Sequence, residues 1–192
     1  MKHTEKIPIF MIIRGLPGSG KSYLAQELAK QIGLNSVVTL DPDNVDFESN
    51  DYINFTNDLK AQFVDEKLFP YRYLRANAYD AIVDNKIIIW NQAFTNQDLL
   101  NKTIINLQNY AQEHSSQLKV LIVEMEIDRD VAKKRVTNRE SSGAHGVSDE
   151  AFQKFIDDYA SFVDYGYQTI ILDGESSLDT NTLLVKNAIE KL

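Results

Sequence analysis

Gly15-Leu16-Pro17-Gly18-Ser19-Gly20-Lys21-Ser22 fits G-x-x-x-x-G-K-[ST] at every fixed position, with an apolar run directly before it and an amphipathic run directly after it. That spacing suits the grip of a polyphosphate. Backbone N–H groups turn inward only where side chains do not obstruct them, and the N-terminus of the following helix adds partial positive charge. The expected nucleotide contacts are Gly15, Leu16, Pro17, Gly18, Ser19, Gly20, Lys21, Ser22 and Tyr23. Lys21 reaches the β and γ phosphates of ATP as a point charge, and the Ser22 hydroxyl sits on Mg²⁺. The bland alternative is a glycine-rich turn that binds nothing; the complete match in its strand-to-helix setting argues against it.

Two further groups of residues carry chemistry. Val37–Leu40 leads into Asp41-Pro42-Asp43-Asn44-Val45-Asp46, which sets carboxylates at a strand's carboxyl end. A carboxylate facing the phosphate loop accepts the proton of a substrate hydroxyl as its oxygen attacks the γ-phosphorus. Asp41 reads either as a metal ligand beside Ser22 or as a turn carboxylate. Arg129 to Glu140 holds five basic residues against two acidic ones, a local reversal of sign in a chain of net charge −8. Arg135 and Arg139 there are i, i+4 and share a helix face, where guanidinium groups grip phosphate oxygens. The competing reading is a solvated basic face paired with acidic neighbours. No Asn-Lys-x-Asp guanine motif is present, and the third strand ends Ile89-Trp90-Asn91-Gln92 without the Asp of large ATPases.

Five short runs must position these residues: Ile9–Ile13, Val37–Leu40, Ile87–Trp90, Val120–Ile127 and Thr169–Leu172. Most are continuously apolar, the pattern of strands buried on both faces of a parallel sheet. Helical patterns fall between them. One runs from about Ser22 to Ile32 before Gly33; another holds Pro70 in its first turn. A third follows the box Thr95-Asn96-Gln97-Asp98 with Leu99, Leu100, Thr103, Ile104, Leu107 and Ala111 on one side. A fourth is the short basic stretch 130–140. A fifth starts at Ser148 and carries Phe152, Phe155, Ile156, Tyr159, Phe162 and Val163 inward, and the last starts near Asp179. The order predicts an α/β chain, a three-layer α/β/α sandwich on a five-stranded parallel sheet. One domain over 1–192 is expected, with a lid at about 129–147. Asp41–Asn57 and Ser141–Gly146 lack strong periodicity, and irregular stretches at the carboxyl ends of strands are where ligands sit in such folds.

The chain has 192 residues, 43% hydrophobic and 25% charged, a globular composition. Its acidity argues against broad nucleic-acid or anionic-membrane binding. It has no Cys, which removes disulfides and thiolate chemistry. The apolar run Ile7–Ile13 is too short to span a bilayer, and no signal peptide or anchor is visible, so a cytoplasmic location is expected.

The phosphate loop, the Leu40-Asp41-Pro42-Asp43 segment and the pair in Lys134-Arg135-Val136-Thr137-Asn138-Arg139 together resemble the P-loop kinases grouped with the 5′-hydroxyl kinase domain of phage polynucleotide kinase and with zeta toxins, which phosphorylate nucleotide sugars. These motifs cover roughly a third of the chain. The resemblance implies that Asp43 is the catalytic base and that Arg135 and Arg139 are lid arginines holding phosphates. Two positions depart from the pattern. Where the family often has Arg or Lys, three residues beyond the base, stands Asp46; where it often has Asp at the end of the third strand, Trp90 is expected, leaving Asn91, Gln92 and Asn96 as polar groups.

Asp41 to Glu66 holds eight acidic residues and one basic, which would repel DNA or RNA. The expected partner is a small-molecule acceptor with a hydroxyl, neutral or amine-bearing. Phe47, Tyr52, Phe55, Tyr71 and Tyr73 either wall it or pack as core; Arg72 and Arg75 either meet an anionic group on it or neutralise the acidic segment. His145 reads as a surface-loop histidine. The leading reading is an ATP- and Mg²⁺-dependent small-molecule kinase. Its alternatives are a polynucleotide or nucleotide-sugar kinase, and an ATP-binding regulatory module with little catalysis.

Overall fold

The computed structural model of the chain describes residues 7–140 and 147–192, with Arg139 and Glu140 described in backbone only. The stretch Ser141–Gly146, including His145, lies outside the described residues.

Five strands form one parallel sheet: β1 (Ile9–Gly15), β2 (Val37–Leu40), β3 (Ile87–Asn91), β4 (Lys119–Glu126) and β5 (Gln168–Asp173), in the order β2-β3-β1-β4-β5. The helices are α1 (Lys21–Ile32), α2 (Asn50–Ala61), α3 (Phe69–Val83), α4 (Gln97–Glu113), α5 (Arg129–Glu140), α6 (Asp149–Asp158) and α7 (Leu178–Ile189). Side chains alternate between the two faces of a strand, and that alternation sorts the core. Phe10, Ile12, Ile88, Trp90, Val120 and Ile122 pack under α3 and α4, while Met11, Ile13, Ile89, Leu121 and Val123 pack under α1 and α7. The three-layer sandwich expected from the sequence is the observed one.

Some local expectations are corrected. The stretch read as irregular holds the first two turns of α2, which Ser49 caps by accepting from Tyr52 N; the helix's apolar face, Tyr52 and Leu59, packs on Phe69 of α3. The cap of α4 is Asn96, whose Oδ1 accepts from Leu99 N at 2.9 Å, and Leu99 itself is exposed. The run after Ser148 is helical only to Asp158. Phe162 reaches the core from the irregular segment beyond α6, and Val163 turns to solvent. Phe152 belongs instead to a small separate cluster with Ala132 and Val136, which joins α6 to α5.

Candidate active site

The phosphate loop lies between β1 and α1, at the carboxyl end of the central strand. Side-chain oxygens of Ser49, Asn96, Ser148 and Ser177 cap α2, α4, α6 and α7. The N-cap of α1 is Gly20, with no side-chain cap and no acidic residue in the first turn. No side chain therefore offsets the positive end of this helix, the polarity that favours an anion. Lys21 Nζ donates to Gly15 O and to Leu16 O, both at 2.9 Å, which holds the ammonium at the loop. Ser19 is fully buried, and Tyr23 directs its ring to solvent.

Gly18 shows why the loop tolerates no side chain there. Its φ is +85°, and a Cβ would fall 2.4 Å from Ala132 O, so the backbone of α5 rests directly on the loop. One turn later Arg135 Nη1 donates to Gly174 O at 2.9 Å and to Gly18 O at 3.4 Å. The lid helix of the sequence reading is thus packed beside the phosphate loop with Arg135 at their junction. Arg139 follows on α5, and its side chain is outside the described residues. Lys133 pairs with Asp149 at 3.1 Å, joining α5 to α6.

The sheet register decides which residue of β3 faces the site. Trp90 lies on the α3–α4 side with Phe10 and Phe94. The sequence assignment of Trp90 to the site is therefore corrected. Asn91, the next residue, points to the opposite side, where α1 begins. Its Nδ2 donates to Asp41 Oδ2 at 2.7 Å and to Ser22 Oγ at 3.1 Å. A carboxylate accepts only, so Asp41 fixes the amide's orientation and leaves Asn91 Oδ1 buried without a partner. Asp41 also accepts from Asp43 N at 3.0 Å and from Asn44 Nδ2 at 2.8 Å, capping the 3-10 turn Pro42–Asn44. Asp43 sits exposed on that turn. Hydroxyl, carboxylate and unpaired amide oxygen together make an all-oxygen donor set, which fits Mg²⁺ that keeps waters and borrows phosphate ligands. Among the described residues no group of three or more His, Cys, Asp or Glu gathers into a metal cage.

A cavity of about 510 Å³ opens beside this corner and runs along the free edge of β2 between α1 and α3. Ser22, Asp41, Asn91 and Asp46 line it; Lys21, Asp43 and Arg135 do not. Of the aromatics considered as a wall, Tyr73 alone lines it. Phe47, Tyr52, Phe55 and Tyr73 meet edge to face, at 5.2–5.5 Å between ring centroids, as the packing of α2 on α3. Neither Arg72 nor Arg75 lines the cavity.

Sequence reading missed the support under the loop. Arg14, the residue before Gly15, is fully buried and pairs with Glu124 of β4 at 2.6 Å. Arg14 Nη2 also donates to Phe94 O at 2.9 Å, while Glu124 accepts from Ser161 Oγ and Phe162 N. Opposite charges inside two otherwise apolar strands were the available signal.

A family model described as an AAA domain matches residues 10–162. No curated protein matches the chain. Among solved structures, a gluconokinase from Sinorhizobium meliloti is 14% identical, covering 97% of this chain and 99% of that one, with a TM-score of 0.55. A deoxyadenosine kinase from M. mycoides with bound dATP is 19% identical over 94% of this chain and 98% of its own, TM-score 0.56. A structure of the PezAT toxin–antitoxin system of Streptococcus pneumoniae is 14% identical over 92% of this chain and 72% of its own, TM-score 0.62. These likenesses show a shared P-loop α/β fold, while the polynucleotide-kinase part of the resemblance stands on sequence motifs alone. With its model matched across most of the chain and an intact phosphate loop at Gly15–Ser22, the chain belongs to the AAA domain family of P-loop proteins.

Proposed function

We propose that the protein is an ATP-dependent phosphotransferase that moves the γ-phosphoryl group to a hydroxyl of a small molecule. The observation that carries this reading is the junction at Asn91. It ties Ser22, at the head of the uncapped helix α1, to Asp41, whose carboxylate anchors the turn bearing Asp43. Nucleotide end and acceptor end are thereby held by one amide.

In this reading the amides of the loop and Lys21 hold the β and γ phosphates. Ser22 and Asp41 would hold Mg²⁺, which supplies charge neutralisation on the phosphate oxygens. Asp43 takes the acceptor's hydroxyl proton as that oxygen bonds the γ-phosphorus; the bond from phosphorus to the β–γ bridging oxygen breaks, and ADP leaves. Arg135 and Arg139 hold the negative charge of the transferring group. Asp43→Asn is expected to keep nucleotide binding and to lower transfer by about 10²–10⁴-fold, the range for loss of a general base. Lys21→Ala is expected to lose both. Purified protein is incubated with ATP, Mg²⁺ and a metabolite extract, and products gaining phosphate are read by mass spectrometry. Products unchanged in Asp43→Asn sink the base assignment.

The regulatory-module alternative draws no support from Trp90 in place of a carboxylate, because that side chain faces the core. It retains Asn91 as an uncharged residue where a carboxylate would bind metal more strongly. Calorimetric ATP binding with no phosphorylated product from any extract would favour it.

A further inference from the structure

The cavity beside Ser22 and Asn91 has a definite chemical character. Among the described residues lining it, two are acidic, Asp41 and Asp46, and none is Lys, Arg or His. The other polar lining groups include the amides of Asn44, Asn77 and Asn91, with the Tyr73 side chain beside them. Asn91 is 5% exposed, and its Oδ1, an acceptor only, has no partner. A buried acceptor without a donor costs free energy until a ligand or water supplies one. The cavity's edge along β2 adds backbone groups that no neighbouring strand pairs. Asp43, exposed on its turn, stands between the lining residues Asp41 and Asn44.

We infer that this cavity is the acceptor pocket and that it takes an uncharged or amine-bearing polyhydroxylated molecule, with Asp46 as the residue that excludes anionic acceptors. The inference rests on the phosphotransferase reading and gives its acceptor a class. Hydroxyl and ammonium groups are donors; Asn91 Oδ1 has no donor, and the carboxylates of Asp41 and Asp46, which already accept from neighbouring N–H groups, can only accept further. Without ATP and Mg²⁺, a carboxylate or phosphate on the ligand would enter a lining with two carboxylates and no Lys, Arg or His, where like charges repel. A volume of about 510 Å³ is in the range that accommodates sugars and nucleosides. Asp46 Oδ1 accepts from Glu48 N at 3.0 Å, which fixes the carboxylate on its turn.

The test separates binding from transfer. An equimolar mixture of neutral polyols, nucleosides, amino sugars, sugar acids and sugar phosphates is presented to the protein without ATP, and retained compounds are identified by mass spectrometry and titrated calorimetrically. Neutral or amine-bearing compounds are expected to bind at least tenfold more tightly than acid or phosphate counterparts on the same skeleton. Asp46→Lys is expected to shrink that ratio at least tenfold, and Asp46→Asn to remove the preference for amines while keeping neutral ligands. Equal or tighter binding of the anionic compounds, retention of no compound, or an unchanged ratio in Asp46→Lys overturns the inference. Adding ATP and Mg²⁺ to a retained ligand then tests the other reading: binding with the expected charge preference but no transfer removes the phosphotransferase, whereas transfer to an anionic acceptor keeps it and removes the pocket assignment.

Discussion

Arg14 Nη1 lies 2.6 Å from Glu124 Oε1, and the two residues, paired in register across β1 and β4, are 0% and 1% exposed. Arg14 also donates to Phe94 O, and its guanidinium stacks 4.5 Å from the Tyr159 ring centroid. Glu124 accepts from Ser161 Oγ at 2.7 Å and from Phe162 N at 2.6 Å. One ion pair thus pins three things to the root of the phosphate loop: the loop after β3, the adjacent strand and the chain returning from α6.

Breaking that pair from one side is expected to be costly. Arg14→Met or Glu124→Leu alone strands the opposite charge in the core, a change worth about 3–5 kcal/mol. The double variant Arg14→Met, Glu124→Leu removes both charges and is expected to cost much less than the sum of the singles. Urea unfolding of the four proteins completes the cycle. Additive losses would show that the two side chains do not depend on each other.

Tyr159 gives the opposite prediction. Its hydroxyl is buried without a partner. Burial is the main reason its pKa is pushed up, with Glu124 and Glu126 adding to that and Arg14 opposing it. Tyr159→Phe keeps the ring against Arg14 and removes an unsatisfied donor, so stability is expected to hold or to rise by about 1 kcal/mol. The pH dependence has a definite sign. A phenol whose folded pKa is raised keeps its stability contribution below the unfolded value, about pH 10, and loses it as pH climbs further. The wild-type melting temperature should therefore fall more steeply than the variant's above about pH 10; parallel curves would contradict the burial of the hydroxyl.

Asn91→Asp tests the metal corner. It replaces the donor 2.7 Å from Asp41 Oδ2 by a second carboxylate. Like charges raise one pKa of such a pair, so the folded state is favoured below the ordinary carboxylate value and disfavoured as pH rises through it. A loss of about 1–3 kcal/mol at neutral pH is expected, smaller near pH 4. Mg²⁺ bound between the two carboxylates should restore more melting temperature to the variant than to the wild type. An equal response to Mg²⁺ would leave Asp41 as a cap of its turn and nothing more.

Much of this architecture was legible because the strongest signals are local. Short, mostly apolar runs located all five strands, and the phosphate loop is a contiguous motif that is read without any partner elsewhere in the chain. What was not legible depends on register. Whether Trp90 or Asn91 faces Ser22 is settled by the parity of β3 against β1, since one residue along a strand exchanges faces. The Arg14–Glu124 pair spans 110 positions and exists only because β1 lies beside β4. The periodic signal of α2 is weak because much of its surface is polar, and its few apolar residues pack on α3 and not on the sheet. Asp43 was singled out by the family resemblance, and Arg135 by that resemblance and its i, i+4 spacing to Arg139, while Gly174, which receives Arg135, had no sequence signal at all.

The contact between Gly18 and α5 can be isolated by comparing two glycines. Gly18 and Gly33 both have positive φ, +85° and +105°, so alanine at either meets unfavourable backbone conformation, worth about 1–2 kcal/mol. They differ in surroundings. A Cβ on Gly33 has nothing within 4 Å, whereas one on Gly18 lands 2.4 Å from Ala132 O and must displace α5 or the loop. Gly33→Ala is therefore expected to lower the melting temperature without changing ATP affinity. Gly18→Ala should lower it further and weaken ATP binding at least tenfold, because the amides that cradle phosphate move with the loop. Calorimetric titration of both variants decides the matter. If ATP binds the two equally, the seat of α5 on the loop does not set the loop's conformation, and Arg135 would have to reach the phosphates from a helix that is free to shift.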